Sequence, residues 1–154
     1  MFTTIRRLIN KLLQQTGNKP TAMDAHQLKK QLGELTRGLL FYSESEYPFE
    51  ILDWNSLKPD QVKNAILQRH PAGSPLTEIG TGDFFQKIIR NMGNGGDDSM
   101  IAVGERYGKL QQLIDSNSTS SSIWRCGRIE IGIYIVMNTT DGHCLALHTT
   151  SIET

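Results

Sequence analysis

Ile129, Ile131, Ile133 and Ile135 fall on every second residue, and beyond Asp141-Gly142 the pattern resumes at Leu145, Leu147 and Thr149. Strict alternation marks a β-strand with a buried face, and Asp-Gly between two such runs is a strong hairpin signal. Residues 128–150 therefore read as a β-hairpin. A hairpin alone is marginal in water, so this one needs more strands and a layer of helices to cover its apolar face.

The covering layer is visible upstream. Leu28, Leu32, Leu35 and Leu39 recur at helical spacing, in a helix opening between Thr21 and Asp24 and closing near Gly38, a residue suited to a C-terminal cap. Asp83 is an N-cap or first-turn acid for a helix over 84–91, which carries Phe84, Phe85, Ile88 and Ile89. A longer helix over 99–116 places Met100, Val103, Tyr107, Leu110, Leu113 and Ile114 on one side and should pack on the sheet. Pro59 suits the first turn of a segment carrying Val62, Ala65, Ile66 and Arg69 that stops at His70-Pro71. Residues 49–54 read as a strand with Phe49 and Ile51 on one face and Glu50 and Leu52 on the other. Residues 93–98 read as a glycine-rich loop and residues 118–122 as a polar, low-complexity loop. The expected class is α/β: a mainly antiparallel sheet with helices on both faces, in an α/β/α arrangement where helices outnumber strands. Phe2, Ile5, Leu8, Ile9, Leu12 and Leu13 form a further amphipathic stripe before Gly17 and Pro20. The chain thus divides into an N-terminal helix and linker, 1–20, and one domain, 21–154.

Between the apolar runs Leu39-Leu40-Phe41 and Phe49-Ile51-Leu52 lies Ser43-Glu44-Ser45-Glu46-Tyr47-Pro48-Phe49-Glu50. Its glutamates repel one another and demand water or cations, and Pro48 stiffens the connection, so the carboxylates are held outward. Glu44, Glu46, Glu50 and Asp53 lack the glycine and the closing acid of a calcium loop, which favours a partner-facing acidic loop over a metal site. Residues 1–40 carry seven Lys/Arg against two Asp/Glu, and residues 41–154 carry nine against fourteen. An acidic body argues against direct nucleic-acid binding and suits a basic protein partner.

Other constellations are weaker. His143 and His148 lie five residues apart on one expected strand, so they point to opposite faces and do not chelate together. Nothing local activates Cys126 as a nucleophile, and Cys126 with Cys144 fits reduced thiols better than a disulfide framework. The glycines at 80–82 and 93–96 lack a GxxxxGK[ST] pattern. No apolar run approaches a membrane span, and Arg6, Arg7, Asn10 and Lys11 interrupt any secretory apolar core, which sets a cytoplasmic expectation.

Gly38-Leu39-Leu40-Phe41 with the acidic octet and Trp54, then Asp83-Phe84-Phe85, Tyr107 with Lys109-Leu110, Trp124-Arg125 with Gly127, Glu130 and Tyr134, and finally Glu153-Thr154, occur in an order that resembles the nuclease A inhibitor family. The resemblance runs from near Leu32 to the last residue. It implies an α/β/α sandwich similar to the pathogenesis-related-protein fold and a non-enzymatic, cofactor-free, intracellular inhibitor of a sugar-non-specific, Mg²⁺-dependent nuclease. By the same resemblance Glu44 faces arginines of the nuclease and Thr154 comes up to the nuclease's catalytic metal; Glu46, Tyr47, Asp97 and Glu153 are further partner-facing candidates, although residues 93–98 contain no Gln or Trp of the kind that makes contacts in the family, and no metal of the protein's own is expected. Two other readings stay open: a binding domain whose N-terminal helix docks to a membrane or a protein, and a small enzyme built on the acidic cluster and a histidine.

Overall fold

A computed structural model describes residues 22–154. The N-terminal amphipathic helix and linker expected over 1–20 lie outside the described residues. The described chain runs α1 (Ala25–Thr36), β1 (Leu40–Tyr42), β2 (Glu46–Pro48), β3 (Glu50–Asp53), a 3-10 turn (Pro59–Gln61), α2 (Val62–Leu67), β4 (Leu76–Ile79), α3 (Thr81–Gly93), α4 (Asp98–Asn117), β5 (Ser120–Cys126), β6 (Glu130–Asn138) and β7 (Cys144–Ile152).

The expected hairpin forms the heart of an antiparallel sheet of order β3-β7-β6-β5-β4. β6 and β7 pair from Glu130↔Ile152 to Asn138↔Cys144, and Gly142, at φ +77°, supplies the left-handed position that the turn requires. One face of the sheet (Ile123, Ile131, Ile133, Ile135, Met137, Leu145, Leu147) packs on Leu28 and Leu32 of α1, Phe84 and Phe85 of α3, and Tyr107, Leu110 and Ile114 of α4. The opposite face (Trp124, Cys126, Tyr134, Val136, Cys144, Ala146) receives Val62 and Ile66 of α2 with Leu52, Trp54, Leu57 and Leu76 around them. Helices thus cover both faces, and the α/β sandwich expected from the periodicities is present. Asp24 caps α1, accepting from Gln27 N at 2.8 Å.

Several local expectations fail for identifiable reasons. Strands outnumber helices among the described residues, because short edge strands leave weak periodicity. Residues 120–122, expected in a loop, are the start of β5: Ser120, Ser121 and Ser122 pair with Asn138, Met137 and Val136, and tertiary pairing overrides their low strand propensity. β4, at the sheet edge, went unread because only Leu76 and Ile79 of its four residues are apolar. The acidic stretch is itself a small hairpin, β1 against β2, rather than a plain loop. The helical segment after Pro59 stops at Leu67, two residues before Arg69. His143 precedes β7 rather than lying on it. Ile129 sits just outside β6 and is 59% exposed, although its stripe-mates Ile133 and Ile135 are wholly buried.

Two polar devices hold the layers. On the first face Tyr107 Oη donates to Leu40 O at 2.6 Å, and Arg106 donates to Leu35 O (2.8 Å) and Arg37 O (2.6 Å), so α4 grips the end of α1 and the base of β1. Phe41 stacks on Phe84 beside them. On the second face Arg69 Nε donates to Tyr134 Oη at 3.2 Å, His70 Nε2 lies 2.7 Å from the same oxygen, and His148 Nδ1 lies 2.6 Å from Glu50 Oε1. His70 approaches this closely because residue 132 is glycine: a Cβ there would stand 2.7 Å from His70 Cε1 and 2.9 Å from Tyr134 Cε2.

Two predictions follow from these devices. Tyr107→Phe strips a part-buried carbonyl of its donor and should cost about 0.5–1.5 kcal/mol in urea unfolding; an unchanged midpoint would mean that the bond carries no weight. Burial is the largest influence on both His70 and His148 and holds each below the ordinary 6.5; for His70, Arg69 and His148 add to it against Glu130, while for His148, Arg69 adds to it against Glu50. The unfolded chain therefore binds more protons just below pH 6.5, so the stability from neutral imidazoles is full above that pH and is lost as pH falls through the window beneath it. Unfolding free energy should drop between pH 7.5 and 5.5 by up to about 1.4 kcal/mol per pH unit for each histidine, and His70→Gln should flatten the slope. A pH-independent free energy would contradict this.

Candidate functional site

The tip of the β1–β2 hairpin folds onto the end of β7. Ser43 closes the turn, with its N–H donating to Ser45 O at 2.8 Å and its Oγ accepting from Ser45 N at 3.3 Å. The same Oγ accepts from Ile152 N at 3.0 Å, and Glu44 N donates to Ile152 O at 3.3 Å. Further back, Thr149 Oγ1 donates to Pro48 O at 3.0 Å and reaches Tyr47 O at 3.4 Å. An acidic segment that would otherwise be a free loop is thereby stitched to the sheet at its tip and along β2.

The same stitching brings together two residues that stand 110 positions apart. Thr154 N donates to Glu44 Oε2 at 2.5 Å and Thr154 Oγ1 to Glu44 Oε1 at 2.7 Å. Both residues are exposed. A carboxylate offers about four acceptor positions. Thr154 takes one on each oxygen, which leaves the exposed carboxylate able to accept further N–H donors.

Glu153 anchors the tail. Its N–H donates to Ile129 O at 2.9 Å, extending the β6–β7 ladder by one bond. Its carboxylate accepts from Ser151 Oγ at 2.9 Å and pairs with Arg125. Partial burial works to raise the Glu153 carboxyl pKa, but Ser151, Arg125 and Lys87 together hold it below its ordinary value. Glu153 is thus a strut whose charge is already matched. Glu46 is exposed on β2, opposite Tyr42, and Tyr47 is half-buried opposite Phe41.

Asp97 serves locally as the N-cap of α4, accepting from Ser99 N at 2.9 Å and Ser99 Oγ at 2.8 Å, and those bonds hold its carboxyl low. At its far end α4 ties Asn117 Oδ1 to Met23 N, and the adjacent Ala25 N bonds Asp141 at the β6–β7 turn. Asp97 thus opens this 20-residue helix at the end away from Asn117. Its recorded bonds go to Ser99 rather than to Glu44 or Thr154. Ser43, Thr149, Ser151 and Arg125, which position the tip, were not singled out for that role in the sequence; hydroxyls beside an acidic motif were the only signal.

The chemistry available elsewhere is limited. Among the described residues no group of three or more His, Cys, Asp or Glu side chains is placed to hold a metal ion. His143 pairs with Asp53, and His148 with Glu50. Cys126 and Cys144 are free and buried; burial raises both thiols, Cys144 to about 11, which suppresses the nucleophilic thiolate. No described helix is long and apolar enough to cross a membrane.

The family model described as nuclease A inhibitor-like protein (NuiA) matches residues 26–154, from the second residue of α1 through the tip built by Glu44 and Thr154. No curated protein matches the chain. With most of its length covered by that one match, including every element of the sheet, the chain belongs to the nuclease A inhibitor-like family.

Proposed function

We propose that this protein inhibits a sugar-non-specific, Mg²⁺-dependent nuclease by occupying its active site with the joined tip of the acidic hairpin and the chain's last residues. The observation that carries the reading is the pair of hydrogen bonds from Thr154 to Glu44, which turns two separate oxygen-rich groups into one rigid, exposed anionic tip. A nuclease of this kind holds phosphate with arginines and a hard cation. Carboxylate and hydroxyl oxygens fixed side by side compete for the same groups.

In this mechanism Glu44 accepts an N–H of a nuclease arginine while the clamp stays closed. Thr154 turns its remaining oxygens to the partner's Mg²⁺ or to its bound waters. Glu46 adds negative potential that speeds encounter with a basic cleft, and Tyr47 stiffens the arm beneath it. Asp97 contributes at the margin from the start of α4. Because Glu44 is ordered before the partner arrives, the association avoids about 0.5–1.5 kcal/mol of side-chain ordering. The inhibitor needs no cofactor and performs no chemistry of its own. Its two free buried thiols accord with a cytoplasmic setting.

The test is titration of the purified chain into assays of magnesium-dependent, non-specific nucleases, with Glu44→Ala and a Thr154 deletion alongside. Removing one partner of a desolvated charge pair costs about 2–5 kcal/mol, so Glu44→Ala should raise the inhibition constant by well over tenfold. Loss of Thr154 should weaken inhibition by a similar factor, because it removes ligand oxygens and unlocks Glu44. Equal inhibition by the wild-type chain and both variants would overturn the site assignment, and failure of the wild-type chain to inhibit would overturn the function.

A further inference from the structure

The β5–β6 turn presents a side chain that the fold does not use. Ile129 is 59% exposed, whereas Tyr42, Leu67 and Ile101, the other exposed large hydrophobic residues among those described, are 36–38% exposed. By alternation it belongs to the stripe of Ile131, Ile133 and Ile135, yet it lies one position beyond the strand and outside the cover of the helices. Its backbone is nonetheless held. Ile129 O accepts from Glu153 N at 2.9 Å, Glu130 begins the ladder opposite Ile152, and Gly127 N donates to Pro75 O at 3.0 Å. Gly127 makes the tight turn possible: its φ is +125°, and a Cβ there would stand 2.3 Å from Glu130 O.

Scattered exposed apolar residues are ordinary and mean nothing singly. Position sets this one apart. Ile129 is bonded across the ladder to the residue preceding Thr154, so it lies within about 10 Å of the anionic tip. A stable protein interface covers about 800 Å² on each partner, a disc of roughly 16 Å radius. Any partner centred on Glu44 and Thr154 therefore covers Ile129 as well.

Resting on the inhibitor reading above, we infer that Ile129 is a second, apolar anchor for the same nuclease and inserts into an apolar socket on the nuclease surface beside its cationic centre. Interface cores are depleted in charge and gain from rigid apolar side chains seated in pockets. Arg128 and Glu130, both exposed, flank Ile129 as a polar rim of opposite charges. The anionic tip alone would fit any phosphate-binding cleft. The isoleucine adds a shape requirement, which makes the turn a determinant of which nuclease is bound.

The experiment compares inhibition constants for the wild-type chain, Ile129→Val, Ile129→Ala and Ile129→Asn against one nuclease that the wild-type chain inhibits, with Glu44→Ala as reference and with thermal midpoints and sedimentation recorded for each. The neutral Asn leaves the charge of the tip unchanged. Val should stay within about threefold of wild type, Ala should be about tenfold weaker and Asn weaker still, all with unchanged midpoints and monomer content. Wild-type inhibition by Ile129→Ala and Ile129→Asn, with Glu44→Ala weakened, would overturn the apolar anchor and leave the inhibitor reading standing. Unchanged inhibition by Glu44→Ala as well would overturn both. A loss that tracks a changed oligomeric state would make the occupant a second copy of this chain and overturn the inference.

Discussion

Everything in this molecule hangs on the pairing of β7 with β6 on one side and β3 on the other. Nine residues of β7 are laddered to β6, and its first half, Cys144 to Leu147, is buried on both faces. A strand held in this way has no freedom to slip, because a one-residue shift would exchange the two faces and expose both cores. The ladder continues through Glu153 N to Ile129 O, so the last residues inherit the order of the sheet instead of fraying. Glu44 and Thr154 meet because both ends of their contact are fixed to β7, one directly and one through Ser43 and the short hairpin.

The elements with strong periodicity were legible in the sequence. Ile131, Ile133 and Ile135 with the Asp-Gly turn, the α1 leucines as far as Leu35 and the long α4 stand where they were expected, because there local preference and tertiary packing agree, whereas α1 ends at Thr36 and leaves Leu39 beyond it. Elements were lost where the two disagree. Three serines open β5 because Asn138, Met137 and Val136 pair with them, a long-range demand that no window of the sequence reports. β4 is an edge strand with a single apolar residue on each face, Leu76 and Ile79, and looks like a loop until its neighbour is known. Ile129 showed the opposite error, since a perfect pattern ran one residue past the strand that it described.

The site was legible as residue types and illegible as geometry. Clustered glutamates about a proline announce an exposed, stiff, anionic connection on electrostatic grounds alone. Nothing in the order of residues says that Ser43 receives Ile152 N or that Thr154 closes on Glu44, since those bonds depend on the hairpin lying along the sheet end. The histidines show the same limit: His70, Tyr134 and His148 lie far apart in the chain, and the missing side chain of Gly132 lets His70 reach Tyr134. Family membership, spanning residues 26–154, takes in both halves of the tip and gives the anionic face a nuclease-inhibitor context.

In the proposed inhibitor Glu44 and Thr154 act as one preorganised unit rather than as two independent contacts. A double-mutant cycle measures this directly: binding of a nuclease to the wild-type chain, Glu44→Ala, Thr154→Ala and the double variant, by calorimetry in Mg²⁺. Strong non-additivity is expected, with a coupling energy of at least about 1 kcal/mol, because Glu44→Ala removes both bonds of the clamp and Thr154→Ala removes its hydroxyl bond. Effects that add to within about 0.5 kcal/mol would show two separate contacts and would contradict it.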